Sequence, residues 1–384
     1  MLRAFTSRTE SDVVPEAVEE LLAPLVEAGA TPRGALLFAA VDHDHQALVD
    51  ALMDRFPDMA LIGCTTDGEM CGCDGFAEDS ATLIAFDADE VVFGAGLAEG
   101  LSTDIAGAIG RAVAEATASL GGGAPSLCFT TPESLTASAV QVLQGLQAAL
   151  GPAFPIFGGT AADAWEFQGT KQFCGRRVVS YGVPVLLMGG SLRYASGIRS
   201  GWKALGIRAV ATEVEGNVLH RIDDDTATAY YQQHLGPGSE PTGEYPLAVY
   251  PPGGDRFYLR APLTFDFEAG TITLAGDVPQ GATIQLTRAT RDEILGATRD
   301  AVDEARRAWA EKYGEARPEA VVAVSCAARK QLLGTRAPLE IDLLSEGLDG
   351  VPIAGFYAYG EIGPFDGASH FHNETMVTLL LGEG

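Results

Sequence analysis

A chain of 384 residues, 47% of them hydrophobic and 20% charged, is too long for one ordinary domain and too apolar to be disordered. Its 25 Lys and Arg against 52 Asp and Glu give a formal charge of −27 at pH 7, which repels phosphate backbones and anionic bilayers and sets nucleic acid and membrane aside as partners. No apolar run reaches the roughly 18–20 residues of a membrane span, and the polar stretch 1–12 lacks a signal-peptide core, so a cytoplasmic location is expected.

In chain order, residues 35–41 (ALLFAAV) predict a buried strand, 46–56 a helix, and 60–70 (ALIGCTTDGEM) a second strand running into a polar loop. Another apolar stretch follows at 81–86. The same grammar returns at 126–131, 137–150, 154–164 and 183–188. Residues 191–202, 209–223 and 247–287 then alternate in character between Gly, Pro and Asp turns, which predicts antiparallel strands and hairpins. A short helix is expected at 225–235, a Pro/Gly-rich loop at 236–243 and a longer helix at 288–313, with Leu295, Ala301, Val302, Ala305 and Trp309 near one face. The grammar appears a third time at 320–327, 339–347, 351–362 and 376–381.

A fixed strand–helix–strand pattern met three times is an internal repeat, and each unit reads as a βαβ crossover. The fold class expected is mixed α/β: two layered domains, residues 1–225 and 226–384, with repeated strand–helix–strand units and additional antiparallel strands. Each second strand meets glycine at Gly63, Gly158 with Gly159, or Gly355. Glycine permits φ > 0 or a close backbone approach, and ligands of open α/β sheets sit at the carboxyl ends of strands. These glycines are therefore placed at a pocket rim, with ligand-free tight turns as the alternative.

Several segments carry a family resemblance. The stretch 61–69 (LIGCTTDGE), then 157–163 (FGGTAAD), Gly201-Trp202 and Glu215-Gly216-Asn217-Val218 resemble the FIST-N domain. The stretches 325–329 (SCAAR), 355–364 (GFYAYGEIGP) and 372–375 (HNET) are similar to FIST-C. The resemblance implies a sensory module of bacterial signal transduction that binds small ligands such as amino acids. No fused output domain is seen, so it implies a separate signalling partner such as a histidine kinase. Stand-alone members described as haem-binding nitric oxide sensors form one subgroup of expectation. A homo-oligomer is left open.

The residues suggest how a ligand would be held. Arg329 and Glu361 follow neighbouring strands of one βαβ unit, where a guanidinium grips a carboxylate and a carboxylate accepts from an ammonium. The pair would hold both ends of an amino acid, with Tyr359 and Asn373 adding neutral hydrogen bonds; the alternative is a mutual Arg329–Glu361 ion pair. Asp163 and Asp67 would contact ligand or cap the turns after their strands. Haem requires an axial ligand; of the six histidines, His234 and His220 lie nearest the domain junction. Cys326 beside Arg329 offers a thiol nucleophile, which keeps a Cys-dependent hydrolase or transferase as an alternative to a non-catalytic sensor. All six cysteines, Cys71 and Cys73 included, are expected as free thiols. No G-x-S-x-G, H-E-x-x-H or G-x-x-x-x-G-K-[ST] motif is present.

Overall fold

The computed structural model describes residues 1–384. Unit one runs β1 (Arg3–Thr9), α1 (Val14–Glu27), β2 (Gly34–Ala39), α2 (His45–Arg55), β3 (Ala60–Thr65), the hairpin β4 (Glu69–Cys71) and β5 (Gly75–Ala77), and β6 (Ala81–Asp87). Unit two repeats the order with β7 (Val91–Glu99), α3 (Ile105–Ser119), β8 (Pro125–Thr130), α4 (Ala139–Leu150), β9 (Ile156–Gly159), the hairpin β10 (Gln172–Cys174) and β11 (Arg177–Val179), and β12 (Gly182–Gly190).

Unit three opens with β13 (Leu192–Arg199) and is interrupted by an insertion. The insertion holds β14 (Lys203–Glu215), β15 (Val218–Ile222), β16 (Asp225–Thr226), α5 (Ala227–Leu235) and β17 (Leu247–Tyr250). It continues with β18 (Tyr258–Arg260), β19 (Pro262–Asp266), β20 (Thr271–Leu274) and β21 (Thr283–Arg288). The unit then resumes with α6 (Arg291–Tyr313), β22 (Ala320–Cys326), α7 (Ala327–Leu333), α8 (Leu339–Gly347) and β23 (Ile353–Ala358). The hairpin β24 (Glu361–Phe365) and β25 (Ala368–His372) precedes the last strand, β26 (Met376–Glu383).

Local chemistry accounts for the elements. The runs of β2, β22 and β23 are buried at every position, as central strands covered on both faces require. Asp44, Asp104 and Ser138 cap α2, α3 and α4 by accepting from Ala47, Gly107 and Gln141 amides, each cap worth about 1 kcal/mol. Thr290 and Glu293 form a capping box on α6. The sequence pattern misses the first strand and helix of units one and two: β1, α1, β7 and α3.

The three crossovers are superimposable in register. Parallel partners are Leu37–Gly63, Thr130–Gly158 and Ala323–Gly355. The returning strands lie antiparallel on the other side, pairing Leu37 with Leu83, Thr130 with Val185 and Ala323 with Thr378. Each hairpin leaves its own sheet: β4 pairs with β23, β10 with β3, and β24 with β9. This cyclic exchange closes three six-stranded sheets into a three-sided prism. The inner faces share one core, with Phe38, Phe129 and Phe356 in it. The outer faces lie under α1 and α2, α3 and α4, and α6 and α8. The insertion is an antiparallel sheet with its own core, to which α5 contributes Tyr230 and Tyr231.

Sheet pairing crosses the division at residue 225, because β13 lies beside β26, β4 beside β23 and β24 beside β9. The glycines are not at a rim. A Cβ on Gly63, Gly158 or Gly355 would stand 1.8, 1.9 or 2.4 Å from the carbonyl oxygen of Leu37, Thr130 or Ala323. A Cβ on Gly159 would stand 2.6 Å from Val324 Cγ1 and 2.8 Å from Ala358 Cβ inside the prism. Close strand approach, not a ligand, requires them. Cys71 and Cys73 are also corrected: the β4–β5 hairpin brings their Cα atoms to 5.2 Å and they form a disulfide, while the other four cysteines are free and buried. No helix is long and apolar enough to cross a membrane.

Candidate functional site

The carboxyl ends of β8, β9, β22 and β23 meet the insertion around a cavity of about 570 Å³. The insertion supplies Asn217, the loop Pro241, Thr242 and Gly243, and the apolar Leu263 and Phe265. The prism supplies Ser134, Leu135, Trp165, Phe167, Tyr359, Asn373 and the turn from Cys326 to Ala328. Apolar walls with a few convergent polar groups are the usual form of a small-molecule site.

One wall is aromatic. Phe167 stacks on Tyr359 with centroids 5.2 Å apart, and Trp165 lies 5.8 Å from Phe167 and 5.7 Å from Tyr359. Trp165 and Phe167 stand on the β9–β10 loop of unit two, which is longer than its counterparts, and Tyr359 on the β23–β24 turn. Ala164, Trp165 and Phe167 all adopt positive φ, at 54°, 64° and 51°, a strained run that surrounding bonds must hold. Asp163 holds it, accepting from the amides of Phe167, Gln168 and Gly169 and from the Tyr359 hydroxyl at 2.6 Å. The Trp165 indole donates to Asp67, which is also paired with Lys330 at 3.1 Å. Both aspartates therefore organise loops and neither lines the cavity.

The floor is polar and unsatisfied. Asn373 lines the cavity and is 1% exposed, yet neither atom of its amide has a partner. The Thr160 hydroxyl, Glu361 Oε1 and both carboxyl oxygens of Glu374 are likewise buried without partners. Glu361 Oε2 accepts from the Thr375 amide at 3.0 Å and hydroxyl at 2.7 Å. Burial pushes the Glu361 carboxyl up to about 8 and holds that of Glu374 well above the usual carboxylate range, with Glu361 adding to the latter. Buried polar atoms are normally paired, so the orphaned amide of Asn373, the member of this set that lines the cavity, marks a place where a partner belongs.

The expected Arg329–Glu361 pairing does not occur. Arg329 is fully buried, bonded to Glu340 at 2.5 Å, Thr298 at 3.0 Å and the Ser200 carbonyl at 2.6 Å. Glu340 also accepts from Ser325 and Tyr357. The α7 turn directs the guanidinium away from the crevice into the α6–α8 packing, so the amino-acid clamp has no cationic jaw. Glu361 belongs to a threefold set: Glu69, Gln172 and Glu361 each open a hairpin and bind the entry of the returning strand through Ser80, the Gly182 amide or Thr375.

The haem ligands fail on position. His234 is exposed, with Nδ1 at 2.8 Å from the Tyr230 carbonyl, and His220 is half-buried on β15; neither lines the cavity. No cavity-lining residue is a histidine. Of the side chains that ligate haem iron, only Cys326 and Tyr359 line the cavity, the first a buried thiol and the second donating to Asp163. Cys326 does line the cavity, but desolvation, with Glu361 and Glu374 adding, pushes its thiol well up and keeps it protonated.

Family comparison agrees with the motifs. The FIST N domain matches residues 35–225 and the FIST C domain residues 227–364. The chain belongs to the FIST family. FIST domains are generally sensory, ligand-binding signalling domains. This FIST protein is 26% identical to the uncharacterized protein Rv0628c of Mycobacterium tuberculosis, over 97% of this chain and 96% of that one. It is 24% identical to the uncharacterized protein Mb0898c of Mycobacterium bovis, over 92% and 91%. Uncharacterized protein MJ1623 of Methanocaldococcus jannaschii is 27% identical over 67% of this chain and 54% of its own length. Among solved structures, a cyanuric acid hydrolase from A. caulinodans has a TM-score of 0.42 and 11% identity, covering 100% of this chain and 99% of that one. A score that low carries no argument about activity.

Sequence reasoning brought Tyr359, Asn373 and Cys326 to the cavity, missed Trp165 and Phe167 of its wall, and did not single out the buried, unpartnered Glu374. A signal existed for the first two, since the loop between β9 and β10 is longer than its counterparts and holds one of only three tryptophans in the FIST chain. Glu374 sits inside the quoted His372–Thr375 motif.

Proposed function

We propose that this FIST protein senses a small ligand without turning it over and signals to a separate protein such as a histidine kinase. The observation that carries this is Asn373, an amide buried at the cavity floor with both of its polar atoms unpartnered. A ligand supplying those hydrogen bonds removes a desolvation cost of about 1–3 kcal/mol per group. It also touches both the insertion and the strand ends, so occupancy biases how the two sit together, which is what a sensor needs. Binding rather than chemistry is supported by the protonated Cys326 thiol and the absence of histidine from the cavity wall.

Thermal denaturation against a metabolite panel tests the reading. A ligand at a hundred times its Kd stabilises by about 2.7 kcal/mol, and Asn373→Ala is expected to abolish that gain while the apo protein still melts cooperatively. Mass spectrometry should recover the ligand unchanged. A panel in which nothing raises the melting temperature would count against sensing.

A further inference from the structure

We infer that the cavity takes an uncharged, planar ligand whose edge carries a hydrogen-bond donor next to an acceptor, a carboxamide or cyclic amide on a small ring body, paired with the side-chain amide of Asn373. The inference rests on the sensing reading above and adds the ligand's chemical class.

The wall carries no charge. None of its twenty lining residues is Asp, Glu, Lys, Arg or His, although 20% of the chain is charged. The groups behind the wall add none. Arg329 is paired with Glu340, and Lys330 with Asp67 and Glu78. Burial raises the carboxyls of Glu361 and Glu374 above the usual range and keeps them protonated at neutral pH. An ammonium, carboxylate or phosphate entering here would give up its hydration without gaining a counter-charge. A neutral ligand avoids that loss.

The polar demand of the floor is two-sided. Asn373 is 1% exposed, and both Oδ1 and Nδ2 lack partners. Whichever way the amide is turned, it offers one acceptor beside one donor. A group made only of donors, such as an ammonium, leaves the Asn373 nitrogen unpaired. One made only of acceptors, such as a carboxylate, leaves its oxygen unpaired. A carboxamide, a lactam or the edge of a nucleobase meets both atoms at once in a coplanar two-bond pair, the geometry by which Asn reads adenine.

The polar ends of the aromatic wall are committed elsewhere. The Tyr359 hydroxyl donates to Asp163 and accepts from the Trp165 amide, and the Trp165 indole donates to Asp67. These side chains therefore offer a ligand ring surface alone. Opposite them the insertion adds Leu263, Phe265 and Pro241. Apolar and aromatic walls around about 570 Å³ suit a flat ring, which gains by stacking.

Calorimetric titration of the full-length protein tests this with nicotinamide, benzamide and uracil, each beside relatives of the same ring. Nicotinate and benzoate replace the amide by an anion, and picolylamine and benzylamine by a cation. The N,N-dimethyl amides and dimethyluracil block its donor. At least one neutral probe is expected to bind at a single site, with the same affinity at low and high salt. Its charged and donor-blocked relatives are expected to bind at least about tenfold more weakly. These comparisons need no variant. Asn373→Leu, which removes both unpartnered atoms and keeps the bulk, is expected to abolish binding and to raise the melting temperature of the apo protein. An amide that held the fold together would lower it on removal. A charged relative that binds as tightly as its neutral counterpart overturns the ligand class and leaves sensing standing. Equal binding of a donor-blocked relative, or unchanged binding in Asn373→Leu, does the same. If none of these probes binds, a ligand recovered from the metabolite panel decides in their place: a neutral donor–acceptor edge sustains the class, and a ligand without one overturns it. If probes and panel are both silent, the sensing reading falls as well.

Discussion

Arg329 and Glu361 look alike in the sequence, charged residues just past neighbouring strands, yet their surroundings differ. Arg329 is neutralised within the α6–α8 packing by Glu340, whose other contacts are Thr298, Ser325 and Tyr357. Removing one member of a buried pair strands the other charge. Arg329→Ala is expected to cost about 3–5 kcal/mol in denaturant unfolding, whereas a ligand-contact residue would lose affinity with little loss of stability. Glu69 is the cleaner carboxyl to titrate. It is fully buried, accepts from Thr66 and Ser80, and burial pushes it up to about 8 from 4.5. Between those values the folded state keeps a proton that the unfolded chain has lost, so stability falls as pH rises through the window. The equivalent position in unit two is Gln172, so an amide suits the site. Glu69→Gln is expected to leave stability near pH 4 unchanged and to raise it by about 1–3 kcal/mol at pH 9, read from denaturation at both pH values.

At the scale of elements, the strand pair carries the repeat. Gly63, Gly158 and Gly355 occupy one register position in three βαβ crossovers, each against the carbonyl of its parallel neighbour. Backbone cannot yield as a side-chain tip does, so Gly63→Ala is expected to cost more than about 4 kcal/mol or to prevent folding, measured by circular dichroism and melting. Gly29→Ala makes an informative comparison, because nothing lies within 4 Å of a Cβ there and only its φ of +59° opposes the change. The predicted helix at 339–347 coincides with α8, and that at 137–150 contains all of α4. Helical periodicity and apolar runs are local, so these elements were legible. The hairpins were not, because β4, β10 and β24 are short and take their partners from another unit.

The whole molecule is tied together by that exchange. Each unit lends its hairpin to the sheet of the preceding unit, with unit one lending to unit three, and the three inner faces bury one core. Residues 1–225 alone would leave β9 without β24, β13 without β26 and β4 without β23, exposing edges and apolar surface that favour aggregation. We expect the 1–225 fragment to show no cooperative melt and to bind a hydrophobic dye, and co-expression with 226–384 to restore one transition. A fragment that melts cooperatively by itself would show that its own contacts suffice. The cavity exists only at this scale, since its walls come from the insertion, the loop after β9 and the turns after β22 and β23.

Taken alone, the amino-acid order determined the fold class, the threefold recurrence of strand, helix and strand, the family, and three residues that reach the cavity. The fold class and the recurrence follow from periodicity and spacing, which act over a few neighbouring residues, and the family from the resemblance of short motifs. Which charge meets which was decided by tertiary structure: Arg329 turned inward to Glu340, Asp163 spent on a loop, and Glu374 left without a partner. Ion pairing and desolvation depend on distances between segments far apart in the chain, and no pattern of nearby residues encodes them.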